Sequence, residues 1–330
     1  MSCANSRDLP AGRKVRAINS CYFKVYKLST VKNYLSLIKF SHTIFAMPFA
    51  LIGFFLGVYS LNHPDGPGWH INIFPGGKFL FFFIKFLFVI LCMVFARSAA
   101  MAFNRYLDRV FDAKNPRTAI REIPAGIIKS NNALLFVIAC CALFITCTFF
   151  INRICFYLSP VALFVVLFYS YTKRFTALCH IILGIGLSLA PIGAYLAVTG
   201  AFALLPILFS FAVVFWVSGF DIIYALQDEE FDKSNQLYSI PATLGKSKAL
   251  RVSEILHLLS AACVVYAGVY GKFGWSYWLG IAFFISMLVY QHSIVKPNDL
   301  RRVNIAFMTA NGIASVVFAV FVLIDLFIKR

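Results

Sequence analysis

Runs of apolar residues recur along the chain with short polar segments between them. They cover 41–61, 79–103, 132–151, 154–171, 177–198, 202–221, 252–270, 274–291 and 303–327. Each run is about the length that a helix needs to cross the hydrocarbon core of a bilayer. None alternates polar with apolar residues as a barrel strand does, and backbone polar groups in lipid must be satisfied within the segment. The pattern therefore predicts an all-α polytopic membrane protein with nine transmembrane helices. Composition agrees: 61% of the residues are hydrophobic and 13% charged, and a mean hydropathy of +0.81 excludes an ordinary soluble domain.

Charge gives the spans an orientation. Of the 30 Lys and Arg, 23 fall in the N-terminal arm and in the loops after the second, fourth, sixth and eighth spans. Positive loops stay in the cytoplasm, which puts the N-terminus and these even loops there. The expected location is the plasma (inner) membrane, with a basic arm at 1–38 and one membrane domain at 39–330. A basic face against anionic lipid accounts for the net charge of +17 without any nucleic acid partner. No signal peptide is expected, because no apolar core with a cleavage site follows the early charges. Lys85 and Arg97 fall inside the second span, where Lys85 is expected to snorkel and Arg97 to face protein. The nine cysteines show no metal-ligand spacing and read as small apolar groups rather than disulfides or zinc ligands.

The acidic residues are concentrated. Eight of thirteen lie in two segments on the same side: Asp108, Asp112 and Glu122 after the second span, and Asp221, Asp228, Glu229, Glu230 and Asp232 after the sixth. Residues four apart stack on one helix face, so Asn104, Asp108 and Asp112 form a polar stripe that continues the second helix. Asp221, Asp228 and Asp232, spaced by seven and four, share a face with Tyr224 and Gln227 beside them. Charges at membrane helix ends are commonly solvated caps, but two equivalent stripes at equivalent depth argue for a shared role. Like charges on one face repel and call for cations among them. Carboxylates with open water positions suit Mg²⁺, which is usually held by one or two carboxylates together with substrate phosphates.

Basic neighbours complete the set. Arg117 and Arg121 are four apart in NPRTAIR, and Lys173 and Arg174 close the fourth span in YSYTKRFT. Arg offers paired donors to phosphate oxygens and Lys a compact charge, so acid-bound metal with basic clamps is what a departing pyrophosphate requires. Among the histidines, His42 opens the first helix near this side and reads as an interfacial cap. His180 and His257 are expected only to pack, and the 37 Phe to face lipid or fill helix contacts.

These motifs resemble the UbiA superfamily of intramembrane aromatic prenyltransferases. Asn104, Asp108 and Asp112 match its first motif, and NPRTAIREIPAG is similar to its Arg-containing loop. Asp221, Tyr224, Ala225, Asp228 and Asp232 match its second motif, SIPATLG at 239–245 resembles the segment that follows, and Lys173 and Arg174 resemble its basic pair. One position departs: many members carry Asp directly after the first-motif Asn, where this chain has Arg105. The resemblance implies nine helices around a central cavity and Mg²⁺ held, directly or through water, by Asp108, Asp112, Asp221, Asp228 and Asp232. It implies that Asn104 supports that set, that Arg117, Arg121, Lys173 and Arg174 contact diphosphate or an acceptor carboxylate, and that Tyr224 orients an Asp or the diphosphate. The substrates implied are a polyprenyl diphosphate and an aromatic acid, 4-hydroxybenzoate or a hydroxynaphthoate, on the way to a respiratory quinone.

Two other classes fit less well. In a cation-coupled transporter the carboxylates would be expected near mid-span, within inverted repeats. A phosphatidyltransferase would carry a DGxxAR run, which is absent from the sequence.

Overall fold

A computed structural model describes residues 32–38, 47–62 and 78–328 of the chain. The arm before residue 32, with Cys3 and Cys21, and His42 lie outside the described residues. Among the described residues the fold is helical, apart from an isolated bridge pairing Lys296 with Asp299.

Nine helices follow the nine apolar runs: α1 Met47–Asn62, α2 Lys78–Lys114, α3 Ser130–Ile151, α4 Arg153–Thr172, α5 Cys179–Thr199, α6 Leu204–Ala225, α7 Lys246–Tyr270, α8 Trp275–Ile294 and α9 Asn311–Ile328. Helices α2 to α8, and α9 with the residues from Ile305, are long and apolar enough to cross a membrane, and α1 is a shorter apolar helix. The protein is a multi-pass membrane protein. Helix α2 has 37 residues, about 55 Å of helix against a hydrocarbon core of about 30 Å. Its last turns therefore run beyond the apolar layer, and they carry the Asn104 stripe.

The bundle closes on itself. Each helix from α2 to α9 packs on the next, and α1 packs on both α5 and α9. Trp216, Phe209, Tyr277, Phe284 and Phe318 fill its largest buried cluster together with Phe49 of α1. Outward-facing Phe79, Phe83, Leu135, Phe149, Phe150 and Phe164 are exposed, as lipid-facing side chains are.

Small residues let the helices approach where there is no hydrophobic drive between them in lipid. Gly53 of α1 lies against the carbonyl of Pro191 in α5, and a Cβ added at Gly184 of α5 would sit 2.5 Å from both Ser218 Oγ and the Val214 carbonyl of α6. Gly184→Leu is therefore expected to force α5 off α6, at a cost of at least about 1–3 kcal/mol. The loss would be seen as a lower thermal midpoint and aggregation on size exclusion in detergent, whereas an unchanged midpoint would contradict this packing.

Buried polar groups serve the fold locally. Lys85 does not snorkel to water: its Nζ donates to the Ala197 carbonyl at 2.7 Å, and Asn152 Nδ2 donates to the carbonyls of Leu196 and Ala197 at 2.8 and 3.2 Å. Both satisfy the open carbonyl end of α5, which lipid would leave unpaired. Asp325 of α9 accepts from the backbone N–H of Gly274 and Tyr277 and so caps the start of α8. A π-helical stretch, Ile305–Ala310, leads into α9, where Asn311 Nδ2 donates to the carbonyls of Ala306 and Phe307 at 3.0 Å each. The His257 and His292 side chains meet at 2.9 Å, so His257 has a polar partner beyond simple packing.

Candidate functional site

Alternating helix direction brings the C-terminal ends of α2, α4 and α6 to one end of the bundle, with the 115–129 and 226–245 connections beside them. Helix C-termini carry partial negative charge, so carboxylates there need cations nearby. At this end lies a cavity lined by Asn104, Asp108, Asp112, Arg117, Arg121, Lys173, Asp221, Tyr224, Asp228 and Asp232. Ten of the eleven residues selected from the sequence thus share one cavity. Its deeper wall is more apolar, with Met101, Leu183, Leu187, Val217, Phe220 and Phe307.

The first stripe runs down α2. Asn104 Nδ2 donates to Asp108 Oδ2 at 3.0 Å, and Arg174 Nη2 donates to Asp108 Oδ1 at 3.0 Å. Arg174 also donates to the carbonyls of Ser170 and Leu107, so its guanidinium is occupied behind Asp108 and is not part of the cavity lining. Asp112 is 6% exposed. One of its oxygens accepts from Arg121 Nη1 at 2.7 Å, while Oδ2 is buried with no partner among the described residues.

The second stripe is built where α6 tightens into a 3₁₀ turn, Leu226–Asp228, followed by a short helix, Glu229–Ser234. The loop after α2 reaches across to it. Arg117 donates from Nε and Nη2 to the two oxygens of Asp228, at 3.2 and 2.5 Å, and from Nη1 to the Tyr224 hydroxyl at 2.9 Å. Burial works against the Arg117 charge, but the Asp228 carboxylate beside it holds the guanidinium above its ordinary range. An Asx contact shapes the start of this loop: Asn115 Oδ1 accepts from the Arg117 N–H at 3.0 Å.

Asp232 is fully buried. It lies 2.7 Å from Lys173 Nζ and accepts from the Ser239 hydroxyl at 2.9 Å. Ser239 in turn caps the short helix Ile240–Leu244 by accepting from the Ala242 N–H. This is the structural content of SIPATLG, whose Gly245, at φ 77° and ψ 162°, adopts a conformation open essentially to glycine alone. Burial would push the Lys173 ammonium down, but Asp232 holds it above the ordinary lysine range.

The fifth carboxylate corrects the reading of His180 as a packing residue. His180 Nδ1 lies 2.7 Å from Asp221 Oδ2, and its Nε2 accepts from the Ile240 N–H at 3.4 Å. With Nε2 accepting, the proton sits on Nδ1 and is donated to Asp221, which fixes the orientation of that carboxylate. Its sequence signal was a histidine opening α5 a few residues after Lys173, at the depth of the acids. Phe307, not singled out among the 37 Phe, stacks on Tyr224 with ring centroids 4.2 Å apart. The π-helical stretch that carries it is a feature often found at functional sites. Arg97 and Arg105 also line the cavity, Arg97 facing protein as the hydropathy pattern required.

The donor set suits Mg²⁺. Among the described residues no three carboxylate, imidazole or thiol groups form a closed cage. Instead two acid pairs line a shared cavity, and Asp112, one of its lining residues, keeps a buried oxygen without a partner among the described residues. Mg²⁺ is held in this manner, by a carboxylate or two with phosphate and water supplying the rest.

Comparison with known proteins agrees with this geometry. The model of the UbiA prenyltransferase family matches residues 46–313. A 4-hydroxybenzoate octaprenyltransferase of Nitrosospira multiformis is 30% identical over 237 residues, covering 72% of this chain and 81% of that protein. The apo structure of a UbiA homolog from Aeropyrum pernix K1 superposes with a TM-score of 0.70 at 27% identity, covering 87% of this chain and 98% of the other. A UbiA homolog from Archaeoglobus fulgidus bound to DMAPP and Mg²⁺ shares the fold, with a TM-score of 0.68 at 21% identity over 90% of this chain and 99% of that one. A match over most of the chain, carrying both acidic stripes and the basic loop that joins them, places the protein in the UbiA prenyltransferase family.

Proposed function

We propose that the cavity binds a polyprenyl diphosphate with Mg²⁺ and transfers its prenyl group to a ring carbon of an aromatic acid of the 4-hydroxybenzoate type, serving respiratory quinone synthesis. The carrying observation is the convergence of five Asp and five Lys or Arg side chains on one cavity that also has an apolar wall. Asp108 and Asp112 would hold metal on one side, and Asp228 and Asp232 on the other, with Asp221 held toward them by His180. Bound Mg²⁺ would neutralise the diphosphate and stabilise it as a leaving group.

The residues of this chain do the rest. Arg117, Arg121 and Lys173 are charged donors positioned for phosphate oxygens, while Asn104 and Arg174 orient Asp108. Tyr224 and Phe307, stacked on each other, put aromatic rings in the cavity wall near an allylic carbon that becomes electron-poor as its bond to oxygen lengthens. The apolar wall takes the prenyl chain and keeps water from the carbon. We place this end of the bundle on the cytoplasmic side of the plasma membrane, from the excess of Lys and Arg in the even loops.

The test uses the purified protein in detergent or membranes with a labelled polyprenyl diphosphate and a panel of benzoate and naphthoate acids. The expected result is prenylation of a hydroxybenzoate in Mg²⁺, its loss in excess EDTA and its return when Mg²⁺ is restored. Turnover that persists in EDTA would remove the metal from the mechanism. Prenylation of a naphthoate alone would move the acceptor to the menaquinone type, and no product with any acid would overturn the reading.

A further inference from the structure

Arg105, beside Asn104 on α2, has no part in the ion pairs described above. It is 4% exposed and lines the cavity, yet its Nε and Nη1 are buried without a partner among the described residues. A buried guanidinium with open donors is costly unless an anion completes it. Protein anions are near: Arg105 is within electrostatic reach of Asp112 and Glu122. Neither is hydrogen-bonded to it; Asp112 Oδ1 is held by Arg121, and Glu122 accepts from the Ser36 hydroxyl.

The residues lining the cavity therefore carry open valences of both signs, Arg97 Nε among them. Asp112 Oδ2 awaits a cation and Arg105 Nε and Nη1 await an anion, both in the wall of one cavity and seven residues apart on one face of α2. An aromatic carboxylate would satisfy only the arginine, and a metal ion only the aspartate. A metal diphosphate satisfies both at once.

We propose that Arg105 binds a diphosphate oxygen directly, as a fixed positive charge that needs no metal. This rests on the reading of the cavity as a prenyl diphosphate site. Its guanidinium stays charged at any working pH and is locked in place by burial, so it selects a phosphate group before the metal arrives. The arrangement gives this chain a metal-independent component of diphosphate affinity.

The experiment measures inorganic pyrophosphate binding to the full-length protein in detergent by titration calorimetry, in Mg²⁺ and in EDTA. Wild type is expected to bind in both, more weakly in EDTA. Arg105→Gln is expected to lose at least about tenfold in affinity in EDTA, the scale of a charge-assisted hydrogen bond left unmade. Arg105→Lys is expected to recover part of that loss, which a purely structural role would not produce. Thermal midpoints without pyrophosphate establish that each variant is folded, and if Arg105→Gln is not, Arg105→Lys against wild type carries the comparison. If a folded variant binds pyrophosphate in EDTA as wild type does, or weakens only 4-hydroxybenzoate, the proposal is wrong while the prenyl diphosphate site stands. If wild type fails to bind pyrophosphate even in Mg²⁺, the reading of the site itself fails.

Discussion

Asp228→Ala is expected to lower kcat/KM for prenyl transfer by about a hundred- to a thousandfold, the cost of removing one preorganised charge-stabilising group, while the protein remains folded. Both parts follow from the position of the residue. Asp228 faces the cavity opposite the α2 stripe, so its loss removes one side of the proposed metal bridge. Its cationic partner, Arg117, has a side chain about one-third exposed (34%), and water can solvate the charge left behind. Asp228→Asn should lose most of the same activity, because an amide keeps the shape and one of the two hydrogen bonds from Arg117 but not the negative charge. Steady-state kinetics with a labelled prenyl diphosphate, alongside thermal midpoints, separate chemistry from stability. A rate within a fewfold of wild type would remove Asp228 from the mechanism.

Lys173→Met should act mainly on stability. Its partner Asp232 has no solvent exposure, so the substitution strands a buried carboxylate, a change that costs about 3–5 kcal/mol when one partner of a buried pair is removed. The Ser239 hydroxyl still donates to Asp232 and should keep the cost toward the low end of that range. Adding Asp232→Asn to Lys173→Met is expected to recover much of the lost thermal stability, because no charge is then stranded, although activity would stay low. The double-mutant cycle in detergent reads this coupling directly. Additive losses would mean that the two residues do not depend on each other.

The two variants illustrate how carboxylates of one motif diverge in role. Asp228 and Asp232 are one helical turn apart in the sequence, yet one is paired with a partly exposed arginine on a loop and the other is buried between Ser239 and Lys173. Their spacing said that they share a face. It did not say which base each of them meets.

Helix positions were legible because lipid punishes any unpaired backbone group over some twenty residues, and that requirement is written into the sequence as long apolar runs. The boundaries that moved are the polar ones. Helix α2 continues to Lys114, and α7 begins at Lys246 rather than at 252, since helix outside the hydrocarbon needs no apolar residues. Asn104, Asp108 and Asp112 were legible for a related reason: i, i+4 spacing puts polar atoms on one face whatever surrounds the helix.

The environments of His180 and Arg105 were not legible, because nothing within a few residues of either sets them. His180 becomes a partner of Asp221 only when α5 packs on α6, and the open donors of Arg105 depend on how the side chains around it pack. Lys85 changed for the same reason, finding the end of α5 where the sequence suggested water.

Sequence alone thus determined the membrane class, the helix order, the two acidic stripes and the side of the membrane they share, since these depend on local periodicity and on the charge of each loop. Tertiary packing decided which acid meets which base, which oxygen and which guanidinium stay open, and where the apolar wall stands. Most of those contacts join residues far apart in the chain, such as Arg117 and Asp228, and only the closed bundle brings them within hydrogen-bonding distance.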